Sequence, residues 1–135
     1  VSTDIVIEVP GREWLTSNGR YHWADRSRRT AAVRRRAWAA ALGCRGADGR
    51  RHRRPWFVGR VRVTATVQGR TAGRMDPANA YPTVKAVLDG LTDAGVWEDD
   101  DSGHVVGPDM RRGVPDSRIP TGSHRITITI EKEEL

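Results

Sequence analysis

Apolar and polar residues alternate cleanly in three stretches of the chain. In Asp4–Val9, the residues Ile5, Ile7 and Val9 share one face, the two-residue period of a strand. Across Phe57–Gln68, Val61, Val63, Ala65 and Val67 point one way, and Arg60, Arg62, Thr64 and Thr66 point the other. That pattern predicts a half-buried strand with a basic outer face. In Arg125–Glu131, Ile126, Ile128 and Ile130 alternate with Thr127 and Thr129, which predicts a closing strand. The period changes after Asp76-Pro77-Ala78-Asn79. Val84, Val87, Leu88 and Leu91 then recur at the spacing of one helix face, with Lys85 and Asp89 four apart on the other side. Pro82 is tolerated only in a first turn, so this helix begins near Asn79–Tyr81, and Gly95 ends it. A second helix over Thr30–Leu42 rests on propensity alone. Ala and Arg are strong helix formers, and Gly43 suits the position past the end.

The remaining segments show no period. Gly11–Arg29 reads as a long polar loop, Gly43–Pro55 as a mobile basic loop, and Gly107–Gly122 as a loop rich in Pro, Gly and charge. His104–Val106 is a short strand candidate. The order strand, helix, strand, helix, strand, strand predicts an α+β fold: a mixed sheet with two main helices packed on it. At 135 residues the chain fits one domain, residues 1–135, with enough length to bury a core unaided. Cys44 is the sole cysteine, so no intrachain disulfide forms. No apolar run approaches the roughly 20 residues of a membrane span, and no charged-then-apolar leader opens the chain. The expectation is a cytoplasmic protein with no membrane partner.

Charge changes the picture. The net charge of +6 divides into +12 over residues 1–74 and −6 over residues 75–135. A basic region for a polyanion beside a separate acidic centre would produce such a split. The basic side chains are nearly all Arg, which grips phosphate through a bidentate fork. The codon bias of a GC-rich genome would raise Arg over Lys equally well, but it does not account for the split. The candidate DNA-facing residues are Arg20, Arg34, Arg35, Arg36, Arg51, Arg53, Arg54, Arg60, Arg62 and Arg74. Trp14, Trp23, Trp38, Trp56 and Trp97 could stack on bases, although Trp38 and Trp97, in or beside helices, read better as core.

The acidic residues flank the better helix: Asp76 before it, and Glu98-Asp99-Asp100-Asp101 after it. Carboxylates among arginines suit a hard divalent ion at a phosphodiester. A helix of about 14 residues is roughly 21 Å long. An extended return of five or six residues covers at most about 20 Å, so Asp100 or Asp101 reaches Asp76 more easily than Asp99 does. Two plainer readings stand beside this one. Asp followed by Pro is a standard helix entry, with Asp as cap, and an acidic run is usually a solvated turn. The four histidines, His22, His52, His104 and His124, show no zinc spacing, and no Ser/His/Asp or phosphate-loop motif is present.

Three segments together carry a resemblance: Arg74-Met75-Asp76-Pro77-Ala78-Asn79, Lys85-Ala86-Val87-Leu88-Asp89-Gly90-Leu91 and Ala94-Gly95-Val96-Trp97-Glu98-Asp99-Asp100. This region resembles the RusA family of Holliday junction resolvases. The likeness extends weakly to Ser17-Asn18-Gly19-Arg20-Tyr21-His22 and to the closing strand. The resemblance implies a small homodimeric endonuclease that uses Mg²⁺, or Mn²⁺ in its place, to nick four-way DNA junctions. It implies catalytic roles for Asp76, Asp100 and Lys85, a motif role for Asn79, and metal ligation by Asp76 and Asp100 with Asp99 or Asp101 beside them. Two features depart from the family pattern. Ala78 stands where a second catalytic aspartate is found, and Ala80–Pro82 is inserted, as in phage-encoded members. The implied setting is therefore a bacterial or phage-infected cell. Asp101, Asp89 or a water could replace the ligand missing at Ala78. A branched-DNA-binding protein without nuclease activity is the alternative, although four carboxylates near phosphate give a pure binder nothing.

Overall fold

In a computed structural model, which describes residues 2–133, the chain forms one four-stranded mixed sheet with two helices against it. The strands are β1 (Ser2–Val9), β2 (Val61–Gln68), β3 (Val105–Arg112) and β4 (His124–Lys132), and the helices are α1 (Trp23–Gly43) and α2 (Tyr81–Asp93). The sheet order is β1-β4-β2-β3. β4 pairs antiparallel with both β1 and β2, whereas β3 joins β2 in parallel. The expected α+β architecture and element order are therefore present. No helix among the described residues is long and apolar enough to cross a membrane.

The core follows the alternation. Ile5 and Ile7 face Ile128 and Ile126 across the β1/β4 register, and Val63 and Ala65 face Ile130 and Ile128 across β2/β4. All are buried, and Val84, Val87 and Leu91 of α2 pack on them with Val33, Ala37 and Ala41 of α1. Cross-strand pairs of branched residues on one covered face are what hold such a sheet in register. Gly90 lets the two helices approach, since a methyl there would overlap the Arg34 carbonyl. Gly95, at φ +82°, closes α2. Its N–H donates to Thr92 O, and Val96 N–H donates to Leu91 O, the paired bonds of a Schellman end.

Three expected boundaries are corrected. α1 begins at Trp23, not Thr30, so the last seven residues of the polar stretch 11–29 are helix. Its N-cap is His22, whose Nδ1 accepts from Ala24 N–H at 3.2 Å, and Asp25 complements the dipole in the first turn. β2 begins at Val61, not Phe57. The N–H groups of Trp56 and Phe57 donate instead to Gly95 O and Val96 O, both at 3.1 Å. β3 runs to Arg112, through residues expected to be loop, with a register irregularity between Arg62 and Thr64. As an edge strand it tolerates Gly107 and Pro108, which disguise it.

Candidate functional site

Asp76 starts a short 3-10 turn, Pro77–Ala80, that leads directly into α2. Pro77 needs no donor there, and the Asp76 carboxylate accepts from Ala78 N–H at 3.0 Å. The cap reading is thus realised in the structure. Asn79 is bound through its backbone: its carbonyl accepts from Ser17 N–H at 2.8 Å, and its own N–H donates to Asp76 O at 3.0 Å. Thr83, fully buried in the first turn of α2, fixes the same loop. Its hydroxyl donates to Leu15 O at 2.7 Å and accepts from Leu15 N–H at 2.9 Å.

The tethered loop and the cap enclose a cleft of about 190 Å³ lined by Trp14, Thr16, Arg74, Asp76, Asn79 and His124. The Trp14 and His124 rings stack at 3.9 Å and 13°. Burial lowers the His124 pKa from its ordinary value, because desolvation disfavours the charged ring. Zinc spacing is the only test the sequence offers for this histidine. Its position at the first residue of β4, under Trp14, carries no local pattern.

The second acidic segment meets α2 further along. Lys85 Nζ donates to Asp89 Oδ1 at 2.7 Å and to Asp100 Oδ2 at 3.0 Å. The i, i+4 spacing of Lys85 and Asp89 dictates the first contact. The second closes over 15 residues of sequence, by way of the Gly95 turn. The hydrogen bond to Asp89, and then that to Asp100, raise the Lys85 pKa, while the Lys85 ammonium holds the Asp100 carboxyl below the usual range. The neighbours of Asp100 face other partners. Asp99 accepts from Asp100 N–H at 2.7 Å. Asp101 lies 2.7 Å from His104 Nδ1 and accepts from Gly103 N–H at 3.0 Å. Arg34 of α1 grips Asp93 with two bonds of 2.5 and 2.8 Å. The bonds to Asp93 raise the Arg34 pKa, and Asp89 and Asp100 add to that through space.

Asp76, Asp99, Asp100 and Asp101 are not assembled as one ligand set. Among the described residues, no group of three or more His, Cys, Asp or Glu is placed to hold a metal ion. What the structure does assemble is a pair, Asp89 and Asp100, converging on a single cation, the Lys85 ammonium. One or two carboxylates completed by water and phosphate are the usual protein share of a Mg²⁺ site, and a cation already stands where these two meet.

The ten candidate arginines divide evenly. Arg34 is bound to Asp93, Arg36 to Glu13, and Arg60 and Arg62 to Glu133. Arg54 donates to Ala94 O and Asp93 O, both at 2.8 Å. The Arg36 pair is structural in character: Glu13 is buried, both its oxygens are taken, and its pKa is lowered first by that hydrogen bond. Arg20, Arg35, Arg51, Arg53 and Arg74 have guanidiniums with no hydrogen-bond or ion-pair partner among the described residues. No family model matches the chain, and no curated protein sequence matches it.

Proposed function

We propose that this chain is a Mg²⁺-dependent endonuclease that cuts branched DNA, such as four-way junctions, by phosphodiester hydrolysis. The observation that carries the proposal is the meeting of Lys85, Asp89 and Asp100, which are brought together across the Gly95 turn while remaining partly open to solvent. Asp100 and Asp89 are hard-oxygen donors that would hold the ion, with Asp89 supplying the carboxylate that Ala78 lacks. The ion would orient the scissile phosphate and lower the pKa of an attacking water. Lys85 would then be free to face phosphate. Arg20, Arg35, Arg51, Arg53 and Arg74, unpartnered among the described residues, would contact the backbone of the arms. A two-fold homodimer would present one such centre to each of two equivalent junction strands.

The deciding experiment incubates the protein with labelled four-way, three-way and linear DNA, each with Mg²⁺ and with chelator. Cleavage of branched DNA in Mg²⁺ alone, by a species with the mass of two chains, is the expected result. Absence of cleavage in both Mg²⁺ and Mn²⁺ would overturn the nuclease reading. A second reading, a branched-DNA-binding protein without cleavage, is favoured by one observation. Asp76 has an oxygen committed to the helix cap, and Ala78 brings no carboxylate beside it. Tight junction binding without nicking would select that reading.

A further inference from the structure

Away from the acidic residues, a cavity of about 330 Å³ lies between the C-terminal half of α1, the basic loop that follows it and the end of α2. Trp38, Leu42, Arg51, His52, Arg54 and Trp56 line it. Its volume falls at the lower end of the about 300–1,000 Å³ typical of small-ligand sites. Two walls are aromatic. Trp38 reads as core from the sequence, yet it is 41% exposed, while Ala37 and Ala41 on the same helix are buried. Trp56 carries the His52 ring stacked on it at 4.2 Å.

These walls are fixed by bonds that do not involve the cavity's interior. Arg54 ties the loop to the carbonyls of Asp93 and Ala94, and Trp56 N–H is held by Gly95 O. The other charged lining group is left available. Arg51 is exposed and makes no ion pair among the described residues. No lining residue is acidic. On its other side Trp38 borders a second hollow with Arg34, Arg35 and Asp93. There Asp93 is neutralised by Arg34, and Arg35 is unpartnered among the described residues. A half-exposed indole thus stands between two available guanidiniums.

A flat aromatic body with an anion on either side complements that arrangement. We infer that this cavity receives one unstacked nucleobase of a DNA strand, sandwiched by Trp38 and the Trp56–His52 stack, with the flanking phosphates on Arg51 and Arg35. Every base offers a π-face, so the capture is indifferent to sequence and selects unpaired over paired DNA. The inference rests on the reading of DNA as substrate and deepens it. Asp93 lies two helical turns beyond Lys85, about 12 Å along α2, so a strand lying along that helix reaches both.

The test measures binding, not cleavage, so the two readings fail separately. The full chain, in chelator at fixed salt, is titrated with a labelled oligothymidylate of about ten nucleotides, and with the same phosphate backbone carrying only abasic sugars. Base stacking on an aromatic wall predicts about tenfold tighter binding of the base-bearing strand. Trp38→Ala should bring it to the abasic level, and Trp38→Phe should keep most of the preference. The wild-type comparison is decisive even if a variant does not fold. Equal affinity for the two strands overturns the inference. So does a preference that survives Trp38→Ala in a folded protein. Failure of both strands to bind overturns it as well, and leaves the DNA reading to the junction-cleavage assay. Preference for bases in a protein that never cleaves supports it.

Discussion

The two acidic segments around α2 treat a carboxylate in opposite ways. At the helix start, Asp76 accepts from Ala78 N–H. That bond solves a local problem, the orphan donors that every helix start leaves, and an amide side chain would solve it as well. Along the body of the helix, Asp100 and Asp89 share the ammonium of Lys85. This arrangement answers no need of the fold. The three side chains are 30%, 25% and 47% exposed, so water would satisfy each of them. Exposed pairs of this kind contribute about 0–1 kcal/mol. A feature that the fold requires is weak evidence for chemistry. One that it does not require, assembled across a turn, is stronger, and on that ground the Lys85 cluster outranks Asp76.

Exchanging each carboxylate for an amide tests the ranking most severely. Asp100→Asn should lower junction cleavage by about 100-fold or more, because a charged donor at the reacting phosphate is removed. Its unfolding free energy should stay within about 0.5 kcal/mol of the parent. Junction binding in chelator should hold or tighten as a negative charge leaves. Asp76→Asn keeps the cap and, if capping is the role of Asp76, should cut at the parental rate. A loss of cleavage in Asp76→Asn equal to that in Asp100→Asn would erase the contrast and return Asp76 to the reacting centre.

The same division between engaged and available groups runs through the arginines and gives a smaller expected effect. Replacing Arg51, Arg53 and Arg74 together with Ala should weaken binding to every DNA shape, with the salt slope falling by about 0.9 for each phosphate that is no longer neutralised. Replacing Arg60 and Arg62 removes side chains already paired with Glu133 and should change the slope little. Filter binding between about 50 and 200 mM salt spans the range in which such slopes are measured. The opposite order of effects would place the DNA on the outer face of β2 instead of on the loop after α1.

What the sequence discloses depends on whether a residue's partner is near it in the chain. β1, the body of β2 and β4 are legible because one face of each is covered and the other is not, which writes a period of two into the residues. α2 is legible for the same reason at the helical period, and Lys85 with Asp89 comes with it. The first turns of α1 are hidden because a histidine caps them, outside the Ser, Thr, Asp and Asn that signal a helix start. β3 is hidden because an edge strand needs neither alternation nor freedom from Gly and Pro. The site divides along the same line. Chain length lets Asp100 return toward α2, but that reading aims it at Asp76, and its meeting with Lys85 in the helix body is set by packing. The stacking of His124 on Trp14 and the closure of Arg36 on Glu13 depend on tertiary packing alone.

The smallest effect sharpens the contrast in stability. Truncation should separate the two carboxylates in the reverse order to cleavage. Asp76→Ala deletes the cap bond and should cost about 1 kcal/mol in urea unfolding at pH 7. Asp100→Ala removes an exposed pair and should cost less, within about 0–1 kcal/mol. The two losses also differ in origin, which pH reveals for Asp100. The Lys85 ammonium holds its folded-state pKa below the unfolded carboxyl value of about 3.9. A depressed carboxyl stabilises the fold above the unfolded pKa, and that contribution fades as pH falls through the folded pKa. The deficit of Asp100→Ala relative to the parent should therefore be complete at pH 7 and shrink as the solution is acidified below about pH 4. A deficit that stays constant down to about pH 2 would mean that the Lys85 pair contributes nothing to the fold. A deficit larger than that of Asp76→Ala would mean that the cluster is structural after all, and Lys85, Asp89 and Asp100 would lose their rank above Asp76 as the place where chemistry occurs.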